Sequence, residues 1–304
     1  MEEKDILKRL IRNDALFNYI HVFQQRFEII PDKSNHMGAF IEFQDIQDRR
    51  EEFLSELVDT IVDWVYSSEK YNDLVELFRK RGKSTAAANH AAYRKAREKF
   101  RKSDNLDRLL LQGQFGELLL FHFIQRFMHA VPLLRKMPIT TSSKHERFGA
   151  DAIHYKLEGD RNIIILGEAK TYTSTYSFNR AFEIALNSII ESYHNLNKEL
   201  SLYIHEDFLD NELNKIAEMY LSNRLPNVEV HLVSIVTYNE NRNIKYTTQK
   251  DIQLQIQKII EDRYKNFDND KIDINRNPIL NRITYIVFPV WELEDMIDKF
   301  QRCL

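Results

Sequence analysis

The chain has 304 residues, of which 43% are hydrophobic and 12% aromatic, so it can bury a sizeable core as one domain with a large appendage or as two domains. Its single cysteine, Cys303, excludes a disulfide framework and a cysteine-ligated zinc site. The charged N-terminus does not resemble a secretory signal, and no apolar run approaches the ~18 residues of a membrane span. We therefore expect a soluble, cytoplasmic protein that does not associate with a membrane.

The net charge of −3 conceals one strongly basic segment. Residues 79–102 contain ten Lys or Arg and one acid, Glu98, which gives this segment +9 and leaves −12 for the rest of the chain. The segment can bind phosphates electrostatically or form the solvated face of an Ala-rich helix, and the sequence favours neither. The GKST at 82–85 resembles the end of a phosphate-binding loop, but Leu77 stands where that motif needs glycine and no strand precedes it. We expect no nucleotide site there.

The chain before residue 135 is predicted to be mostly helical. Apolar residues recur at helical spacing in 53–78. A longer and more buried helix is predicted for 105–131, where Pro132 breaks it.

After residue 135, patterns typical of strands and helices are mixed. Strands are predicted at 150–157, 162–170, 228–238 and 282–289, and helices at 178–200, 207–222, 249–265 and 291–300. The polar stretch 262–278 is interpreted as a loop insertion. This order predicts a mixed α/β (α+β) core at 105–304, preceded by a helical N-terminal region at 1–104.

Two acids and a lysine lie where a predicted strand pair ends. Glu168 and Lys170 are two residues apart and share one face of their strand, whereas Ala169 points to the other face. If the Gly-Asp pair at 159–160 forms a two-residue hairpin turn, cross-strand partners have numbers that sum to 319, which pairs Asp151 with Glu168. The two carboxylates would then be directly opposite, with Cβ atoms ~4.5–5.5 Å apart.

Two opposed carboxylates on an otherwise apolar face destabilise the strand pair unless positive charge lies between them. A divalent cation meets this need, with ligands from Asp151, Glu168, the backbone carbonyl of Ala169 and retained waters. This is the ligand set that Mg²⁺ prefers, and Mn²⁺ is an expected substitute. Lys170 would orient a water or stabilise charge on a phosphate. The alternative is a cross-strand salt bridge in which Lys170 neutralises both acids.

The sequence around these residues resembles the PD-(D/E)xK nuclease superfamily. Asp151, and Glu-Ala-Lys at 168–170 after an apolar strand, match its core pattern, with Ala150 in place of the usual proline. More narrowly, "FGADAI", "GEAK" and the preceding "GQFGELL" helix resemble the HamA family of nuclease subunits in Hachiman antiphage systems, over roughly 105–304. The resemblance implies a restriction-endonuclease-like core, metal-dependent phosphodiester cleavage, and a superfamily 2-like helicase partner of the HamB type.

The resemblance also implies a fourth site residue. In that superfamily a helix before the sheet often supplies a further acid, and Glu117 matches this position. The implied catalytic set is therefore Glu117, Asp151, Glu168 and Lys170, with Glu117 binding a second ion or a water. A solvent-facing residue of an amphipathic helix is the alternative for Glu117.

Several further residues are weaker candidates. Lys144 and Arg147 precede the first acid, and Arg180 begins the next predicted helix, so these three are candidate nucleic-acid contacts. Short basic loops are, however, usually just solvated. His122 and His129, seven residues apart on one predicted helix, are expected to be packing or surface histidines rather than metal ligands.

Together these features predict a metal-dependent deoxyribonuclease that acts as the effector of an antiphage complex with a helicase. The N-terminal region, including the 53–78 helix, is the expected docking surface for that helicase, with the basic segment 79–102 as a further candidate part of it. Two alternatives remain: a catalytically silent DNA-binding or scaffold subunit of the same complex, and a stand-alone restriction endonuclease. A degenerate relative is expected to lose one of the four site residues, which favours the active enzyme.

Overall fold

The computed structural model describes residues 15–100, 108–134, 149–174, 178–203 and 211–304. The strands are β1 (Ile20–Gln24), β2 (Met37–Ile41), β3 (Phe43–Gln44), β4 (Gln47–Asp48), β5 (Val131–Leu134), β6 (Ala152–Glu158), β7 (Arg161–Tyr172), β8 (Val228–Asn239) and β9 (Ile283–Val290). The α-helices are α1 (Arg50–Asp59), α2 (Ile61–Val65), α3 (Ser68–Lys80), α4 (Thr85–Phe100), α5 (Arg108–Met128), α6 (Phe178–Tyr203), α7 (Asn211–Leu221), α8 (Gln249–Lys265) and α9 (Leu293–Cys303).

Seven of these strands form one mixed sheet in the order β1-β2-β9-β8-β7-β6-β5. The four inner strands β2, β9, β8 and β7 are parallel to their neighbours within that group, whereas β1, β6 and β5 pair antiparallel. The short strands β3 and β4 form a separate hairpin. The sheet is therefore parallel at its centre and antiparallel at both edges, which is a common arrangement in large mixed sheets.

Helices cover both faces of this sheet. Ile164 and Leu166 of β7 lie in a hydrophobic cluster with α6, α7 and α8, and Ile163 and Ile165 lie in a second cluster with α1, α2, α5 and α9. Successive residues of a strand point to opposite faces, so a central strand needs apolar residues at every position. The run of isoleucines in β7 meets this need, and the protein has the three layers of an α/β fold.

The predicted mixed α/β fold is confirmed, and so are its C-terminal elements. Each of the four predicted strands and four predicted helices after residue 135 is present, with ends within about four residues of the expected ones. The bounds of α8 are those predicted. The expected loop at 262–278 begins within α8, and its buried Phe267 and Ile272 anchor the rest against the core.

The prediction that the chain is mostly helical before residue 135 is wrong for its first part. Strands β1 and β2 join the main sheet, and the single helix expected at 53–78 is three helices, α1 to α3. The five residues of β2 are all buried, so the strand is a short apolar run without the alternation that would identify it. Pro132 follows the end of α5 and lies in the edge strand β5, a position that tolerates proline.

Residues 15–100 contribute directly to the core. Strand β2 pairs with β9, and buried residues of α1 and α2 share a cluster with α5 and α9. Helices α3 and α4 instead form a hairpin, residues 68–100, with a small cluster of its own around Val75, Ala88 and Ala92. The predicted domain boundary at residue 104 lies outside the described residues. None of the described helices is both long and apolar enough to cross a bilayer.

Candidate active site

The β6–β7 hairpin brings the first acid next to the Glu-Ala-Lys triplet. Its ladder runs from Glu158 opposite Arg161 to Ala152 opposite Gly167, so partners sum to 319 as predicted. Asp151 is the next residue beyond this ladder. Its Oδ2 accepts a hydrogen bond from the backbone N–H of Ala169, with an N to O distance of 2.8 Å.

Glu168 is buried at the centre of this arrangement. It is 1% exposed, and its Oε1 accepts hydrogen bonds from Lys170 Nζ at 2.5 Å and from Ser188 Oγ at 2.6 Å. Its Oε2 is buried, and no group in the described part of the chain donates a hydrogen bond to it. Buried polar atoms are normally satisfied, so an orphaned carboxylate oxygen is an unusual feature.

The charges of these three residues perturb one another. Burial and the neighbouring charge of Asp151 raise the pKa of Glu168, Lys170 and Ser188 only partly oppose them, and the net result is a pKa of about 8. Burial alone would lower the pKa of Lys170, but Glu168, Asp151 and Glu117 together raise it above its usual value. Lys170 is therefore charged at neutral pH, while burial and Asp151 disfavour the ionised form of Glu168.

Helix α5 packs closely on the other face of β7 because glycines stand at the contact. A Cβ on Gly116 would lie 2.4 Å from Thr171 Oγ1, and one on Gly167 would lie 2.8 Å from Leu120 Cδ2. Since Cβ atoms do not approach so closely, these two glycines set the depth of α5 against the strand.

This packing determines the position of Glu117. It is a half-buried residue of α5, on the face of the sheet opposite Glu168, and its charge still acts on Lys170. Within the described ranges no three His, Cys, Asp or Glu side chains are grouped to hold a metal ion. The structure thus brings Asp151, Glu168 and Lys170 together and does not place Glu117 among them as a third acid.

Asp151 and Glu168 nevertheless fit a hard divalent cation. Both supply carboxylate oxygens, and Glu168 Oε2 is a buried acceptor to which no described residue donates. Mg²⁺ commonly binds through one or two carboxylates and keeps several waters, so a third acidic ligand is not needed. A ligand role for the Ala169 carbonyl stays a prediction.

The remaining candidates contribute less. Lys144 and Arg147 lie outside the described residues, and Arg180 is exposed in the first turn of α6. His122 is buried in α5, and burial lowers its pKa to about 3, so it is a neutral packing residue. His129 follows α5 with a positive φ of 52°.

Sequence reasoning missed two residues of α6 that contact this site. Ser188 donates to Glu168, and the buried carboxylate of Glu199 accepts a hydrogen bond from the backbone N–H of Ala150. Ser188 is half-buried, and Glu199 is buried on the same side of α6, as is Ser192. Polar residues at helical spacing inside an apolar stripe were the available signal.

The fold and the paired acids define a class: a mixed α/β protein of nuclease-like fold, with two carboxylates and a lysine at one end of a sheet hairpin. A family model for HamA matches residues 15–304, nearly the whole chain, and the chain therefore belongs to the HamA family. This membership makes it a component of a Hachiman antiphage defence system. A comparison with curated proteins gives no match.

Proposed function

We propose that the protein is a metal-dependent DNA nuclease and the effector of an antiphage complex that also contains a helicase. The observation that carries this proposal is Glu168, a buried carboxylate that contacts Lys170 and whose pKa is raised by the charge of Asp151. One of its oxygens has no hydrogen-bond donor among the residues that the structure describes. Perturbed acids of this kind are concentrated at functional sites.

The roles follow from the positions of the side chains. Asp151 and Glu168 would hold Mg²⁺ or Mn²⁺, which when bound polarises the phosphate and lowers the pKa of a water. Lys170, charged and on the same face as Glu168, would orient that water or stabilise the charge that develops on the phosphate. The charge of Glu117 raises the pKa of Lys170 and so favours its charged form. Glu117 itself would bind a second ion or a water.

The α3–α4 hairpin is the proposed contact for the DNA backbone. Its exposed basic residues without an ion-pair partner in the described part of the chain are Lys80, Arg81, Lys83, Arg94 and Lys95. Unpaired basic side chains on one hairpin, in a chain that is otherwise acidic, favour binding of phosphates without sequence readout. The helicase would hold the nuclease inactive at rest and deliver unwound DNA to it.

One observation favours a second function. The direct contact of Lys170 with Glu168 is also what a structural salt bridge would show, and a catalytically silent DNA-binding subunit could keep it. In that case the protein would bind DNA and the helicase, and cleavage would be absent.

Cleavage of linear duplex DNA separates these functions. The chain, co-expressed with a helicase of the HamB type, is incubated with DNA, ATP and Mg²⁺, with Asp151→Asn as the matched variant and a single-stranded RNA as the second substrate. We expect DNA to be degraded by the wild type, and not by the variant or in excess EDTA. Undiminished cleavage in EDTA, or equal cleavage by Asp151→Asn, would contradict the proposal.

A further inference from the structure

Helix α6 supports both acids of the site. Ser188 donates its hydroxyl hydrogen to Glu168. Eleven residues later, about three helical turns, Glu199 Oε2 accepts a hydrogen bond from the N–H of Ala150 at 3.1 Å. Ala150 directly precedes Asp151 in the chain. Because three turns return to the same side of a helix, one face of α6 reaches Glu168 directly and Asp151 through the preceding peptide.

The loop before Asp151 is fitted to the carboxylate of Glu199. That side chain is 4% exposed, and burying a carboxylate is costly unless donors point at it. Gly149 lies against it with φ at +110°, a conformation that favours glycine, and a Cβ there would lie 2.1 Å from Glu199 Oε2. The backbone N–H of Ala150 therefore donates to the carboxylate, and Gly149, which has no side chain, leaves room for it.

We propose that Glu199 is a positioning residue that fixes Asp151 for the cation. The proposal rests on the proposed function, because the cation is the one assigned there to Asp151 and Glu168. The hydrogen bond to Ala150 fixes the peptide that leads into Asp151, so that its carboxylate stays at the Ala169 N–H and beside Glu168. Without that bond, the loop can turn Asp151 away and the two carboxylates no longer face one ion.

Two substitutions of Glu199 isolate this effect. Glu199→Gln keeps an acceptor oxygen for the Ala150 N–H, whereas Glu199→Met has similar length and no such oxygen. Both remove the charge, so a difference between them reports the hydrogen bond. Glu191→Met, at an exposed position of the same helix, is the matched control. Binding of Mn²⁺ alone is measured by calorimetry on the full chain in its complex, and melting temperature is recorded on the same samples.

We expect Glu199→Met to bind Mn²⁺ on the order of tenfold more weakly than the wild type, as residues that hold metal ligands usually do when replaced. Glu199→Gln should stay within about threefold of the wild type, because the acceptor is retained, and Glu191→Met should be unchanged. Equal Mn²⁺ affinity in the wild type and Glu199→Met would overturn the proposal. Equal weakening in the Gln and Met variants would overturn it too, since charge rather than the hydrogen bond would then be responsible.

If Glu199→Met does not fold, or if the wild type binds no Mn²⁺, hydrogen exchange of the Ala150 amide tests the proposal instead. In the folded wild type this amide should be protected, and in Glu199→Gln it should remain so. Exchange as fast as that of an exposed loop amide would mean that Glu199 does not hold this loop. If the wild type binds no Mn²⁺ but its Ala150 amide is protected, the proposed function is contradicted. The positioning of Asp151 by Glu199 is then still supported.

Discussion

Two buried glutamates stand near the ends of neighbouring parallel strands, Glu168 in β7 and Glu240 directly after β8, and their surroundings differ sharply. Glu240 is 2% exposed, like Glu168 at 1%. Its carboxylate accepts hydrogen bonds from Tyr238 Oη at 2.9 Å, the N–H of Asn241 at 2.9 Å, the N–H of Arg242 at 3.0 Å and the Arg263 guanidinium at 2.8 Å. Burial raises its pKa, but these donors, Arg263 foremost, outweigh burial and lower it overall.

The comparison distinguishes an acid that stabilises the fold from one that is kept despite its cost. Every donor that Glu240 needs is supplied by nearby residues of the chain. Burial and the second acid beside it raise the pKa of Glu168 to about 8, and within the described residues one of its oxygens has no donor. A buried carboxylate left in that state is the kind of site that a cation or substrate completes.

The largest expected effect is at Glu240. Glu240→Gln should lower the free energy of unfolding by about 3 kcal/mol at pH 7, because the half-buried Arg263 loses its charged partner. The folded pKa of Glu240 is lowered, so its contribution is present above the ordinary carboxylate pKa and is lost as the pH falls through the folded value. Urea unfolding at pH 7 and at pH 3.5 should therefore show a smaller difference between wild type and variant at the lower pH. A loss under 0.5 kcal/mol at pH 7 would contradict the interpretation of Glu240 as an acid that stabilises the fold.

The loop before Asp151 should be the next most sensitive. Gly149→Ala forces a side chain onto a residue with φ at +110° and against Glu199, so we expect a loss of about 2–3 kcal/mol in the free energy of unfolding. Gly159→Ala is the control: its φ is also positive, at +62°, but nothing lies within 4 Å of the added Cβ. That variant should lose only about 1 kcal/mol. Equal losses in the two variants would mean that the contact with Glu199 has no consequence.

Charges on the surface show the same contrast between partnered and unpartnered groups. Lys80 and Lys83 of the hairpin have no acidic partner in the described part of the chain, whereas Lys265 and Lys271 pair with Glu28 and Glu183. Changing both hairpin lysines to Ala should weaken DNA binding in EDTA about tenfold. The slope of the logarithm of the binding constant against the logarithm of the salt concentration should fall in magnitude by about 2. The same change at Lys265 and Lys271 should alter neither value. Fluorescence anisotropy with a short duplex measures both, and equal effects of the two pairs would contradict a role for the hairpin.

The smallest change in stability is expected at Glu168 itself. Glu168→Gln removes a charge that burial and Asp151 already disfavour, so the free energy of unfolding at pH 7 should rise or fall by less than about 1 kcal/mol. Set beside Glu240→Gln, this variant tests the comparison directly in one unfolding experiment. A loss as large as that of Glu240→Gln would show that Glu168 is a structural acid as well.

The sequence predicted those parts of the fold that depend on local pattern. The hairpin register came from one Gly-Asp turn, and the C-terminal strands and helices came from apolar periodicity, because these signals lie within a few residues of each other. Strand β2 could not be found in this way, since it is a five-residue apolar run without alternation, and one of its two partners, β9, is some 250 residues away.

The residues of the site likewise fall into those that local pattern predicts and those that it does not. Asp151, Glu168 and Lys170 could be brought together from hairpin geometry alone. Ser188 and Glu199 could not, because their contacts depend on how α6 lies across the sheet. The distance between Glu117 and the other acids depends on the depth of α5 against β7, which Gly116 helps to set and no periodicity reveals.

The central claim is that these residues cleave DNA rather than merely stabilise the fold, and Lys170→Ala tests it most directly. Cleavage by the complex and the melting temperature are measured on the same preparation, with Lys156→Ala, a partly exposed lysine of the same hairpin that pairs with Glu158, as the control. We predict that cleavage falls about a hundredfold or more, as on loss of one preorganised charge, while the melting temperature changes little because Glu168 can take up a proton. A Lys170→Ala protein that is clearly destabilised but still cleaves DNA like the wild type would contradict the account.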